Sequence, residues 1–177
     1  MTRPVRLTVM VAIPVVAVAL LVAVSRLRGG ADDEDRAAAA RTPTVLFMCP
    51  HGAAKSVLAS AYFTQLAAER GLRVRIAAVG TEPAPAVSPA VAARLQQQGL
   101  AVPIDKPRTV TAADIADADL VISIGCDTSK IPQTDKLRHW DDVPDTSADF
   151  AAADQALRAK ARALVDEISR LQDSRKS

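Results

Sequence analysis

Val45-Leu46-Phe47-Met48-Cys49-Pro50-His51-Gly52-Ala53-Ala54-Lys55-Ser56 ends an apolar run on a cysteine and opens a helix seven residues later. Thr44 to Met48 is short and almost wholly apolar, the pattern of a strand buried on both faces. Ser56 to Arg70 then sets Leu58, Tyr62 and Leu66 at helical spacing and stops at Gly71. A thiol at the end of such a strand sits among backbone N–H groups at the positive end of the next helix, which favours the thiolate over the thiol. The same N–H groups can hold a tetrahedral oxyanion. Gly52, Ala53 and Ala54 keep the loop free of bulk, and Lys55 adds positive charge where the anion would lie. Cys49 therefore reads as a nucleophile toward phosphate or arsenate, with Pro50, His51, Gly52, Ala53, Ala54, Lys55 and Ser56 as its oxyanion cradle. The plain alternative is a small buried hydrophobe at a strand end. A nucleotide-binding loop fails: G-x-x-x-x-G-K-[ST] needs glycine at 49 and 54, where Cys49 and Ala54 stand.

Outward from this loop the chain alternates. Arg73 to Val79 is a second strand, Pro89 to Gln98 a helix closed by Gly99, and Thr111 to Asp119 a short helix with Thr111 and Asp114 spaced as a capping box. Leu120 to Ile124 is a strongly apolar strand, and Gly125 to Asp149 reads as irregular. Phe150, Leu157, Leu164, Val165, Ile168 and Leu171 fall on one stripe of a long final helix. Strands alternating with helices predict an α/β fold, a doubly wound parallel sheet with ligands at the carboxyl ends of its strands.

Before the domain, Leu7 to Val24 carries no charge, and at ~1.5 Å per residue it could nearly cross a bilayer core. The expectation is one N-terminal transmembrane helix, with residues 1–28 as anchor, 29–42 as linker, 43–172 as the domain and 173–177 as a tail. The membrane is then a partner through residues 7–24 and the chain is membrane-anchored. A cleaved signal peptide is the competing reading. Arg3 and Arg6 before the run balance Arg26 and Arg28 after it, so the side stays open, and a start codon set too early would leave a cytoplasmic enzyme.

Composition excludes other classes. The 22 Lys+Arg against 20 Asp+Glu give no basic excess for tracking phosphates, and 3% aromatic residues leave few stacking platforms, which argues against nucleic acid as a partner. The two cysteines are 77 residues apart and there are two histidines, too few and too scattered for a structural zinc site. No metal and no organic cofactor is required.

These residues resemble the low-molecular-weight protein tyrosine phosphatases and the related thiol-dependent arsenate reductases. Their signature is a strand, C-x5-R-[ST] and a helix, and the reductase form C-V-H-N-A-G-R-S is similar to Cys49-Pro-His-Gly-Ala-Ala-Lys-Ser56. Ala78-Val-Gly80-Thr81-Glu82-Pro83 resembles the family's S-A-G-T-x-P turn, Val87-Ser88-Pro89 its next helix start, and Ile124-Gly125-Cys126-Asp127 the reductases' M-G-C-G-D. The likeness runs from 43 to 171.

Three departures bear on chemistry. Lys55 replaces the family arginine, and an ammonium is a flexible point charge where a guanidinium fork grips two oxygens. Gly52 replaces the loop asparagine. A further reductase cysteine corresponds to Ser129 or Lys130, which excludes a relay through three protein thiols.

The family acid comes from an Asp-Pro pair before the last helix. Within His139-Trp140-Asp141-Asp142-Val143-Pro144-Asp145-Thr146 the resemblance implies Asp145, with Asp142 second; either could instead be a loop or capping carboxylate. Cys126 follows the apolar strand and so emerges at the same sheet edge as Cys49, where it can resolve an oxidised or arsenylated Cys49 or simply be a buried thiol. His51 reads as loop-ordering or exposed, and His139 as surface.

The resulting expectation is thiolate-based oxyanion chemistry of the arsenate reductase kind. A low-molecular-weight phosphatase acting on phosphate monoesters and a catalytically weak oxyanion-binding module are the alternatives. The implied partners are a small oxyanion, arsenate or phosphate, or a phosphoprotein, with a small thiol or thioredoxin-type reductant.

Overall fold

In the computed structural model, residues 42–174 are described. Four strands, β1 (Thr44–Cys49), β2 (Arg75–Gly80), β3 (Leu120–Ser123) and β4 (Leu137–His139), make one sheet in the order β2-β1-β3-β4, every pair parallel. The helices are α1 (Lys55–Glu69), α2 (Pro89–Gln97), α3 (Ala112–Asp117) and α4 (Phe150–Ser174), with a 3-10 turn at Thr128–Lys130.

The pleat of β1 explains the layering. Val45, Phe47 and Cys49 point into a cluster with α1, α2 and α4, while Leu46 and Met48 point into a second cluster with Ile115, Ala118, Val121 and Ile131. Phe47 sits at the centre of the first cluster, its ring 5.5 Å from Phe63 and 5.9 Å from Trp140. Helices thus cover both faces, which is the condition for a parallel sheet of apolar strands.

A buried polar network ties α1, α2 and α4 together within the first layer. The Tyr62 hydroxyl donates to Asp154, and Arg94 Nη2 reaches the other carboxylate oxygen at 2.6 Å. Burial first, and then Asp154, raises the Tyr62 phenol above its ordinary value. The capping box on α3 is formed: Thr111 Oγ1 accepts from Asp114 N at 3.1 Å, and Asp114 Oδ2 accepts from Thr111 N at 2.8 Å.

Register brings the strand ends level. Cys49 pairs with Gly80, Met48 with Ser123, and Ser123 with His139, so the loops after all four strands open on one edge. Strand order reverses between β1 and β3, where open α/β sheets form their ligand crevice.

Two expectations are corrected. The segment from Gly125 to Asp149 is not wholly irregular, since it contains β4 and the 3-10 turn. The membrane helix is withdrawn, together with the membrane as partner and anchored location. Among the described residues no helix is long and apolar enough to cross a membrane. α4 has the length, at 25 residues, but Asp154, Arg158, Lys160 and Glu167 interrupt it. Residues 7–24, on which that expectation rested, lie outside the described residues.

Candidate active site

β1 delivers Cys49 to the edge as its last residue, 2% exposed. Its Sγ–H donates to the Oγ of buried Ser56 at 3.2 Å; once the thiol has lost its proton, the same hydroxyl can turn and donate to sulfur.

The loop between them is shaped by where its carbonyls go. Pro50 O accepts from Glu82 N at 2.8 Å, His51 O from Ala84 N at 2.9 Å, and Ala53 O from Ser88 N at 2.9 Å. With its carbonyls drawn to the segment after β2, the loop turns its N–H groups the other way. Among the described residues, those of Ala53, Ala54, Lys55 and Ser56 donate to no backbone carbonyl. Ala54 at the N-cap of α1 offers no side-chain oxygen, and the first turn holds no acidic residue, so the N-terminus of this 15-residue helix stays uncapped. Uncapped N–H groups beside a nucleophile form an anion site.

Gly52 makes the turn at φ +59, in the left-handed region. Its Cα faces Gly80: a Cβ added to Gly52 would lie 2.8 Å from Gly80 N. The asparagine of the family loop is thus absent from a position where this chain packs backbone on backbone.

Lys55 extends across the edge toward the loop after β3, its Nζ 3.1 Å from where a Cβ on Gly125 would stand. There it acts on Cys126, which is half-buried. Burial pushes the Cys126 thiol up to about 11, Ser123 opposes that, the nearby Cys49 adds to it, and Ile124 N–H and Lys55 pull it down. Asp145 is exposed and stands in a turn, Oδ1 accepting from Ser147 N and Ser147 Oγ, each at 2.8 Å. Those two bonds hold its carboxyl below the usual range, with smaller contributions from Lys55 and His51. His51 is exposed, its Nδ1 3.3 Å from Glu82 O.

Cys49, His51, Lys55, Cys126 and Asp145 therefore converge on one edge. Asp142 does not join them: it pairs with Lys160 of α4 at 2.8 Å. His139 is exposed and lies 3.5 Å from Asp141. Among the described residues no cluster of three or more His, Cys, Asp or Glu could hold a metal ion. The packing role of Gly80 and the buried hydroxyl of Ser123 carry no local sequence signal; the first could be read only from the S-A-G-T-x-P likeness.

Residues 44–170 match the family model described as low molecular weight phosphotyrosine protein phosphatase. Among curated proteins none matches the chain. Among solved structures, YfkJ from Bacillus subtilis is 21% identical with a TM-score of 0.64, covering 73% of this chain and 96% of its own. The thioredoxin-dependent arsenate reductase Cg_ArsC1' of Corynebacterium glutamicum is 26% identical, TM-score 0.60, over 74% of this chain and 63% of its own. An arsenate reductase from Archaeoglobus fulgidus is 28% identical, TM-score 0.53, over 71% of this chain and 98% of its own.

Proposed function

Because this chain belongs to the low molecular weight phosphotyrosine protein phosphatase family and so to a superfamily of cysteine-dependent, oxyanion-handling enzymes, we propose that it reduces arsenate with its own two thiols. The observation that carries this reading is the second thiol: Cys126 follows β3, which pairs directly beside β1, so both thiols stand at the same end of the sheet, with Lys55 Nζ reaching to Gly125 beside Cys126. A phosphatase has no use for that thiol. The likeness to two arsenate reductases adds support.

Cys49 thiolate attacks arsenic, forming S–As as an As–O bond breaks, and the departing oxygen leaves as water with a proton from Asp145. The N–H groups of residues 53–56 and the Lys55 ammonium hold the remaining oxygens. Cys126 thiolate then attacks Cys49 sulfur. The S–S bond forms, the S–As electron pair stays with arsenic, and arsenic(V) departs as arsenite. An external thiol or thioredoxin-type reductant reopens the disulfide. Asp145 reaches this sequence as a carboxylate, and the proton that the Cys49 thiol gives up on becoming the attacking thiolate passes to it as the anion enters; no bond of the Ser147 turn uses its Oδ2.

Hydrolysis of a phosphate monoester is the second reading, favoured by an acid facing Lys55 and His51. There Cys49 takes the phosphoryl group, the alcohol leaves with the Asp145 proton, and water releases phosphate. Against an aromatic ester stands the placement of Phe47, Phe63 and Trp140, all buried in the core. Assaying the chain with arsenate plus thiols, and separately with an aryl phosphate, decides between the two. Phosphate binding without either turnover would leave an oxyanion-binding module.

A further inference from the structure

Ser123 closes β3 and is fully buried, yet among the described residues its Oγ is a buried side-chain oxygen with no hydrogen-bond partner in the protein. A hydroxyl in that condition costs free energy that alanine would not, so its presence calls for a reason. β3 alternates: Ile122 enters the cluster with α1 and α4, and Val121 enters the opposite one. Ser123 shares the side of Val121, pairs in register with Met48 of the same cluster, and Cys126 packs against that cluster. Gly125, at φ +68, turns the chain between them.

We propose that Ser123 is a positioning residue for the second thiol: its unpartnered hydroxyl is the donor that receives Cys126 when that sulfur becomes a thiolate. The proposal rests on Cys126 acting as a nucleophile in the reading above. A half-buried thiol resists ionisation, and the charges facing it divide, Cys49 from β1 opposing and Lys55 from α1 assisting. Neighbouring Asp127 is taken up with Ser129, its Oδ1 accepting from Ser129 Oγ at 2.6 Å. An internal hydroxyl meets the anion at the sulfur itself, needing only to rotate. The free hydroxyl in the resting enzyme and its use in the reaction are then one fact.

The test uses the full chain carrying Cys49→Ser, so that Cys126 is its one thiol. Iodoacetamide alkylates the thiolate, forming S–C and releasing iodide, and the rate is followed from neutral to strongly alkaline pH. Adding Ser123→Ala should move the half-maximal pH up by about one unit, which is about a tenfold slower reaction below both midpoints. Ser123→Thr should restore the original profile. Melting curves separate this from a packing role, since Ser123→Ala should melt no lower than its parent. An unchanged alkylation profile in Ser123→Ala, or a lowered melting temperature with it, overturns the proposal. Arsenate turnover of Ser123→Ala with Cys49 intact keeps the two claims apart. Failure of the parent to reduce arsenate sinks the reductase reading and leaves the alkylation result standing. A reductase that needs Cys126 but is indifferent to Ser123→Ala sinks the present proposal alone.

Discussion

Gly52 and Gly80 meet backbone to backbone: a Cβ on Gly52 would lie 2.8 Å from Gly80 N, and one on Gly80 would lie 2.6 Å from Gly52 N. The cradle is thus pressed against the end of β2, and the neighbouring carbonyls of Pro50, His51 and Ala53 are bonded into the segment that follows. Gly52→Ala adds a clash to a left-handed backbone, so it should cost about 2 kcal/mol or more in denaturant unfolding and abolish phosphate binding. A Gly52→Ala chain with normal stability and normal phosphate affinity would mean the loop is not held in this way.

Lys55 should bind oxyanions less firmly than arginine would. A guanidinium in its place can grip two oxygens at once, where the ammonium is a single point charge. Lys55→Arg is expected to tighten inhibition by phosphate or vanadate about tenfold. Weaker inhibition would show that the ammonium suits a different ligand.

Asp145 and Asp142 separate by partner. Asp145 faces the site and keeps Oδ2 clear of its turn, whereas Asp142 is committed to Lys160. Asp145→Asn should lower turnover by about a hundredfold, as loss of a general acid does. Asp142→Asn should change it by less than about threefold. Equal effects from the two substitutions would remove the assignment.

Acid stability follows from Asp114. Arg108 first, and then Thr111, hold its carboxyl well below the usual range. A depressed carboxyl contributes stability that is complete above its ordinary value of 3.8 and drains as pH falls below it. Asp114→Asn should therefore cost about 1–2 kcal/mol at neutral pH, from box and ion pair together. The gap between variant and parent should narrow progressively as pH falls below 3.8 in unfolding experiments. A gap that persists undiminished in acid would contradict this.

How much of this could be read from the residues depended on range. The strand-loop-helix around Cys49 and the Thr111–Asp114 capping box are local patterns, and the structure forms both. β4 escaped because Leu137, Arg138 and His139 form a three-residue edge strand, with both polar residues exposed and no apolar alternation to mark it. The contact of Gly52 with Gly80 and the bond from Tyr62 to Asp154 join residues far apart in sequence, where periodicity carries no information. Asp145 ranks above Asp142 in the sequence only through the likeness of Pro144-Asp145 to the family pair; that Lys160, on a later helix, pairs with Asp142 has no local signal. Ser123 looked like any polar residue at a strand end; only its burial without a partner singles it out.

Whether Cys49 and Cys126 together reduce arsenate is decided by a single turnover. The reduced chain is mixed with arsenate in the absence of any external thiol, then arsenite is counted and the cysteines are mapped. One arsenite per chain and a Cys49–Cys126 disulfide are expected, with neither formed by Cys49→Ser or Cys126→Ala. No arsenite and no disulfide, from a chain that hydrolyses an aryl phosphate under the same conditions, would contradict this and make this protein a phosphatase.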